Sequence, residues 1–219
     1  QELDYERQIH IKHDQVMELL NHAGIQGFED LGVLGSPEIF EYRNKMEFSF
    51  GDAEKDGPMT LGMHRKHSTY DVITVDGCKL VDSDYSQILT YVLDYCKKEN
   101  LPYYKKLQHT GFLRFLVIRK SKTTGEILVN IVTSSQSDFS FTTLAHELAA
   151  LPLKGKVSGV LHTITDTLAD AIKPEKISLL YGKDTIDEEI LGLKFHISPF
   201  SFFQTNTKGA EVLYKNALD

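Results

Sequence analysis

An α+β fold, with a central antiparallel sheet and flanking helices, follows from three features of the 219-residue chain. Short alternating runs come in pairs around turns bearing Gly and Asp, the pattern of β-hairpins. Between the pairs lie segments whose apolar residues recur every three or four positions, the pattern of amphipathic helices. The order along the chain is helix, hairpin, helix, hairpin, helix, strand, strand, unlike the regular alternation that builds a parallel α/β sheet.

Composition bounds the function. Hydrophobic residues make up 41% of the chain, enough for one large core or two small ones. No run approaches the roughly 18 apolar residues of a membrane-spanning helix, and no membrane partner is expected. The first residues, Gln1-Glu2-Leu3-Asp4-Tyr5, have neither the basic nor the apolar part of a signal peptide, and the missing initiator Met suggests a chain cut from something longer. Two cysteines, Cys78 and Cys96, make no disulfide framework, so the cytoplasm is the expected setting. A net charge of −7 argues against gripping nucleic acid by bulk charge, although local basic clusters can still meet phosphates.

Taken in order, Tyr5, Ile9, Val16 and Leu20 share one face of a first helix that Gly24 ends. His10 and His13 have the spacing of two ligands on one helical turn. No carboxylate joins them at motif spacing, so a solvated face is expected. Residues 42–50 alternate, with Met46, Phe48 and Phe50 on one face and Arg43, Lys45, Glu47 and Ser49 on the other. Residues 51–58 turn and 61–66 return. Arg43, Lys45, Arg65 and Lys66 then form either a basic patch able to meet phosphates or an ordinary charged solvent face.

Residues 70–80 read as a strand closing in an Asp76-Gly77 turn with Cys78 behind it. A cysteine at a turn keeps its sulfur accessible, which suits metal ligation, yet one cysteine makes no metal site. Ser83-Asp84 caps a helix whose apolar face is Ile88, Leu89, Val92, Leu93 and Cys96, which makes Cys96 a core residue. Asn100-Leu101-Pro102 stops it. Residues 112–120 and 126–133 form a second hairpin around Lys122-Thr123-Thr124-Gly125. Arg114, Arg119, Lys120 and Lys122 add positive charge there. Nearby, Tyr103, Tyr104, Lys105, Lys106 and His109 interleave aromatics with bases, which fits stacking on unpaired bases and fits a polar loop equally well. Residues 141–151 are helical, 157–164 and 177–181 are strands, 165–171 is a loop, and 190–195 lead into the last stretch.

That stretch carries Phe195, Phe200, Phe202 and Phe203, broken by Pro199, and runs into a Gln204-Thr205-Asn206 corner. Behind it Ala210, Leu213, Tyr214 and Ala217 recur at helical spacing after Thr207, a candidate N-cap. Rings supply a stacking wall and amides supply donors and acceptors, so the stretch can hold a flat or polar ligand. It also fits a buried aromatic strand whose Gln204 and Asn206 tie off a turn.

Ser198-Pro199-Phe200-Ser201-Phe202-Phe203-Gln204-Thr205-Asn206 resembles the S-P-x-x-F-F-Q-x-N signature of the RNA (uracil-5-)-methyltransferases. Tyr42-Arg43-Asn44-Lys45, followed by Phe48 and then by Leu61-Gly62-Met63-His64, is similar to a pair of strands near the RNA in that family. The strand from Gly111 through Arg114 to Arg119 and the run 182–191 also have counterparts there. The resemblance implies an S-adenosylmethionine-dependent enzyme that methylates C5 of a uridine in rRNA, above all 23S rRNA, or in tRNA. It implies a central RNA-facing α+β domain at residues 1–195 and the start of a Rossmann-like methyltransferase domain at 196–219. It assigns Gln204 to the methyl donor and Arg43, Lys45, Arg65, Lys66, Arg114 and Phe202 to the RNA. Cys78 matches the fourth ligand of the 4Fe–4S cluster that many members carry, the other three lying outside this chain. The family's nucleophilic cysteine and catalytic base also lie outside it, so these residues alone are expected to be inactive. The alternative is a non-catalytic RNA-binding or scaffold module, in keeping with the acidic charge.

Overall fold

The computed structural model describes residues 3–218. Among them the helices are α1 (Tyr5–His22), α2 (Ser83–Lys98), α3 (Thr142–Ala149) and α4 (Thr207–Leu218). The strands are β1 (Lys45–Asp52), β2 (Met59–His64), β3 (Val72–Thr74), β4 (Leu113–Lys120), β5 (Glu126–Thr133), β6 (Lys156–Ile164), β7 (Lys176–Gly182), β8 (Ile186–Ile190) and β9 (Leu193–Ile197). Contacts divide the chain into two compact units. Phe40–Thr207 holds every strand, and the segment up to Ile39 joins the one from Lys208 onward.

In the larger unit, β3-β2-β1-β4-β5-β6-β7 form one seven-stranded sheet and β8-β9 a separate hairpin. The sheet is antiparallel except between β5 and β6, which pair in parallel from Glu126↔Lys156 to Thr133↔Ile164. A parallel pair needs a crossover rather than a tight turn, and α3 lies in that connection. The expected antiparallel sheet is therefore a mixed one, because the sequence order strand, helix, strand does not say which strands become neighbours.

The alternation in β1 holds: Met46, Phe48 and Phe50 are buried. They join Leu61, Leu116, Ile118, Val129 and Ile131 in one core with the apolar faces of α2 and α3. Each fully buried side chain of this size contributes roughly 1.5–3 kcal/mol relative to exposure. Gly62 of β2 is required by proximity, since a Cβ there would lie 1.9 Å from the carbonyl oxygen of Ile73 on β3. On the opposite face of the sheet Leu128 and Leu161 pack with Ile186 and Ile197 of the β8–β9 hairpin, and Phe203 lies against them.

Four local expectations are corrected. The strand within 70–80 is only Val72–Thr74, and Asp76 and Gly77 sit in the turn that follows. Asp82, not Ser83-Asp84, caps α2 by accepting from the Asp84 amide at 2.9 Å. Asp84 is instead fully buried, because Lys120 Nζ and the amides of Lys154 and Gly155 donate to its carboxylate. Residues 190–195 belong to the β8–β9 hairpin, which turns at Leu191-Gly192, both at positive φ. Thr207 is the first residue of α4 rather than its cap, and its hydroxyl donates to Glu188 at 3.1 Å.

In the smaller unit, Asp4 caps α1 by accepting from the Arg7 amide at 2.7 Å, and Gly24 follows the helix at φ 70°. His10 bonds the Glu6 carbonyl, while His13 Nε2 lies 2.8 Å from Asp30. That hydrogen bond raises the imidazole's pKa, so His13 serves as a local tie. Tyr5, Val16 and Leu20 line a groove with residues 28–36 and with Val212 and Leu213 of α4.

Candidate functional site

The 198–206 stretch is held from below by Arg119. Its guanidinium is 3% exposed and donates to the carbonyl oxygens of Pro199 at 3.0 Å and of Ser201. The Ser198 and Ser201 hydroxyls meet at 2.7 Å, closing a tight corner. Beyond it the two phenylalanines diverge. Phe203 packs inward, edge-to-face with Phe195 at 5.6 Å between centroids, whereas Phe202 is 89% exposed. A large aromatic presented this openly by a fixed backbone is a platform for a flat partner.

Gln204 comes next, its side chain half-buried. Its carbonyl oxygen accepts from Asn44 Nδ2 at 2.8 Å, and Asn44 Nδ2 also donates to the Thr207 hydroxyl at 2.9 Å. The Thr207 hydroxyl in turn donates to Glu188, which is 2% exposed. The Glu188 carboxylate accepts further from the Ser121 and Thr123 hydroxyls at 3.1 and 2.6 Å and from the Lys122 and Thr123 amides at 2.8 and 3.1 Å. Sequence reading gave no role to Asn44 or Glu188. The signal was present, since Asn44 lies inside the Tyr42–Lys45 motif and Glu188 inside the 182–191 run.

Of the expected RNA-facing basic residues, Arg43 and Lys45 lie beside the corner. Arg43 forms an isolated bridge with Asn206, and Arg43 and Lys45 line a groove with Met63, Leu80 and Thr205. Lys45 is paired with Glu47, and Arg43 Nε donates to the Lys45 carbonyl at 2.9 Å. Arg65 is half exposed, 3.8 Å from Asp71, and Lys66 is exposed. The patch is thus partly neutralised by its own carboxylates.

Arg114 departs from expectation. It is 4% exposed, and its guanidinium donates to the carbonyls of Thr165, Thr167 and Ala169 at 2.9, 2.7 and 3.0 Å while stacking 4.5 Å from the centre of Tyr104. Three of its five N–H donors order the 165–169 loop, and its burial keeps it from meeting a phosphate. Two arginines of one strand therefore hold two different loops.

Cys78 is half-buried beside the Asp76-Gly77 turn, in a groove with Phe40, Glu41, Lys79 and Ser86. Cys96 lies in the core, and burial pushes its thiol up to about 12, which keeps it neutral there. Among the described residues no group of three or more His, Cys, Asp or Glu is arranged to hold a metal. Cys78 alone supplies one thiol, the single ligand that the resemblance assigns to this chain. The half-buried Gln204 carboxamide does fit a polar cofactor atom, offering both a donor and an acceptor.

No protein-family model matches the chain. Individual relatives do. A Clostridium acetobutylicum protein named an uncharacterized RNA methyltransferase is 52% identical over 99% of this chain and 48% of its own length. Proteins of the same description from Clostridium tetani and Caldanaerobacter subterraneus are 48% and 47% identical, over 100% and 98% of the chain. The fold matches a solved structure, the Pyrococcus abyssi tRNA (uracil-54, C5)-methyltransferase in complex with S-adenosyl-L-homocysteine. The TM-score is 0.75 at 22% identity, over 98% of this chain and 48% of that one. The chain spans about half the length of the curated relatives it matches. Over the half that it spans, the chain is homologous along its whole length to proteins named RNA methyltransferases.

Proposed function

We propose that this chain is the RNA-facing part of an S-adenosylmethionine-dependent methyltransferase that acts at C5 of a uridine in rRNA or tRNA, in the cytoplasm. The observation that carries the reading is the corner from Pro199 to Thr207. Arg119 holds its carbonyls so that Phe202 faces outward, while Asn44 pins the backbone of Gln204. The relatives' shared name and the uracil-C5 activity in the structural neighbour's name point the same way. In this reading Phe202, with Arg43, Lys45, Arg65 and Lys66, meets the RNA, and Gln204 contacts the methyl donor, which supplies the electrophilic methyl group. Residues 1–195 are the RNA-facing domain, and 196–219 lead into the catalytic domain. Cys78 has a role in an iron–sulfur cluster only if three further cysteines reach it.

The test uses the full-length protein and labelled S-adenosylmethionine, with unmodified rRNA and tRNA as acceptors and Gln204→Ala in parallel. Label recovered as 5-methyluridine, and sharply reduced in the variant, supports the reading and identifies the RNA class. Absence of transfer to either RNA with binding intact points instead to a non-catalytic RNA-binding module.

A further inference from the structure

Glu188 has no role in the reading above and Asn44 only that of pinning the Gln204 backbone, yet the two are the ends of one buried relay. The proton directions in the relay are forced by chemistry. A main-chain carbonyl only accepts, so the Asn44 atom facing Gln204 at 2.8 Å must be the nitrogen. The same nitrogen meets Thr207 Oγ1 at 2.9 Å, so that oxygen accepts there and its single proton goes to Glu188 at 3.1 Å. Every link is buried or nearly so: Asn44, Thr207 and Glu188 are all buried residues. Asn44 Oδ1 is itself buried without a hydrogen-bond partner, so the amide is held through its nitrogen alone, and losing both bonds from that nitrogen would leave it to bear its own desolvation penalty.

The carboxylate is itself held from several sides. Ser121 and Thr123 side chains and the Lys122 and Thr123 amides converge on it from the β4–β5 turn, and its own residue sits in β8. Glu188 thus ties a sheet turn and the β8–β9 hairpin to Thr207, and Asn44 carries that anchorage to Gln204.

We propose that Glu188, Thr207 and Asn44 are positioning residues that set where the Gln204 carboxamide stands, and so govern affinity for the methyl donor without touching it. This rests on the reading of Gln204 given above. The informative substitution is Thr207→Val, which keeps the shape and removes the hydroxyl, with Thr207→Ser as the conservative rescue and Glu188→Gln as a second break.

Two readouts on the full-length protein separate the possibilities. Amide hydrogen exchange over residues 200–207 reports the position of the segment whether or not the protein methylates RNA. Steady-state kinetics report KM for S-adenosylmethionine apart from KM for RNA. The expected result is faster exchange and a rise of about fivefold or more in KM for S-adenosylmethionine in Thr207→Val and Glu188→Gln, with KM for RNA unchanged and Thr207→Ser near wild type. Unchanged exchange in a folded Thr207→Val protein overturns the proposal, as does faster exchange with unaltered KM for S-adenosylmethionine. A wild-type protein that transfers no methyl group overturns the functional reading and, with it, the cofactor role, while the exchange data still decide whether the relay holds the segment.

Discussion

The buried guanidinium of Arg119 donates to the carbonyl oxygen of Pro199 at 3.0 Å, so the exposed Phe202 three residues later stands on a backbone fixed from inside the sheet. Burial lowers the pKa of this arginine from its usual value, and the guanidinium stays charged. Arg119→Met leaves the Pro199 and Ser201 carbonyls without these donors and is expected to cost about 2 kcal/mol. Urea unfolding measures that loss. A variant as stable as wild type would mean that the corner finds other partners.

Phe202→Ala should separate binding from folding. At 89% exposure the ring contributes little to the core, so the melting temperature is expected to stay near wild type. Affinity for single-stranded RNA is expected to fall by about 1–3 kcal/mol, the range for one lost base–aromatic stack. Fluorescence anisotropy with a labelled oligonucleotide measures it, and unchanged affinity removes Phe202 from the RNA-facing surface.

Acid sensitivity should track Asp84. Burial favours its neutral form, but the Lys120 ammonium and the amides of Gly155 and Lys154 outweigh this, and its pKa lies below the usual aspartate value. A carboxyl whose folded pKa is depressed gives its full stabilisation above the unfolded value, about 3.9, and loses it as pH falls through the lower folded value. Lys120 behaves oppositely. Burial lowers its pKa, Asp82 and Asp84 outweigh this and raise it, and its contribution fades only as pH rises through the raised value. Asp84→Asn is expected to cost about 3 kcal/mol at pH 7 and to flatten the loss of stability below pH about 4. Thermal unfolding of both proteins across that range checks the sign.

The two thiols should differ in reactivity. Cys96 lies in the core with its pKa pushed up to about 12, whereas Cys78 is half-buried at a turn. Iodoacetamide at pH 8 is expected to modify Cys78 and spare Cys96 until the protein unfolds. Mass spectrometry of the labelled peptides reads this directly, and label on Cys96 under native conditions would report local opening of α2.

Much of the fold was legible because its causes are local. Met46, Phe48 and Phe50 alternate, and Ile88, Leu89, Val92, Leu93 and Cys96 recur at helical spacing, so side-chain period alone assigned their faces. The short β3 and the β8–β9 hairpin were not legible. Residues 70–80 alternate further than the edge pairing with β2 extends, which is Val72 to Thr74. In β8 the polar Asp187, Glu188 and Glu189 obscure an alternation in which Ile186, Glu188 and Ile190 point inward.

The sequence by itself determined the apolar faces, the turns and the resemblance that singled out the 198–206 stretch. Tertiary structure alone decided which charged and polar residues serve the surface and which serve the interior. Arg114 and Arg119 share a residue type and a strand, yet the first orders the 165–169 loop and the second the Pro199–Ser201 corner. Glu188 reads as one more carboxylate in an acidic chain until donors from the 121–123 turn and from Thr207 converge on it. The physical reason is range. Hydrophobic periodicity is written between near neighbours, whereas the partner of a buried polar group can lie anywhere in the chain, and desolvation permits only arrangements in which that partner is present.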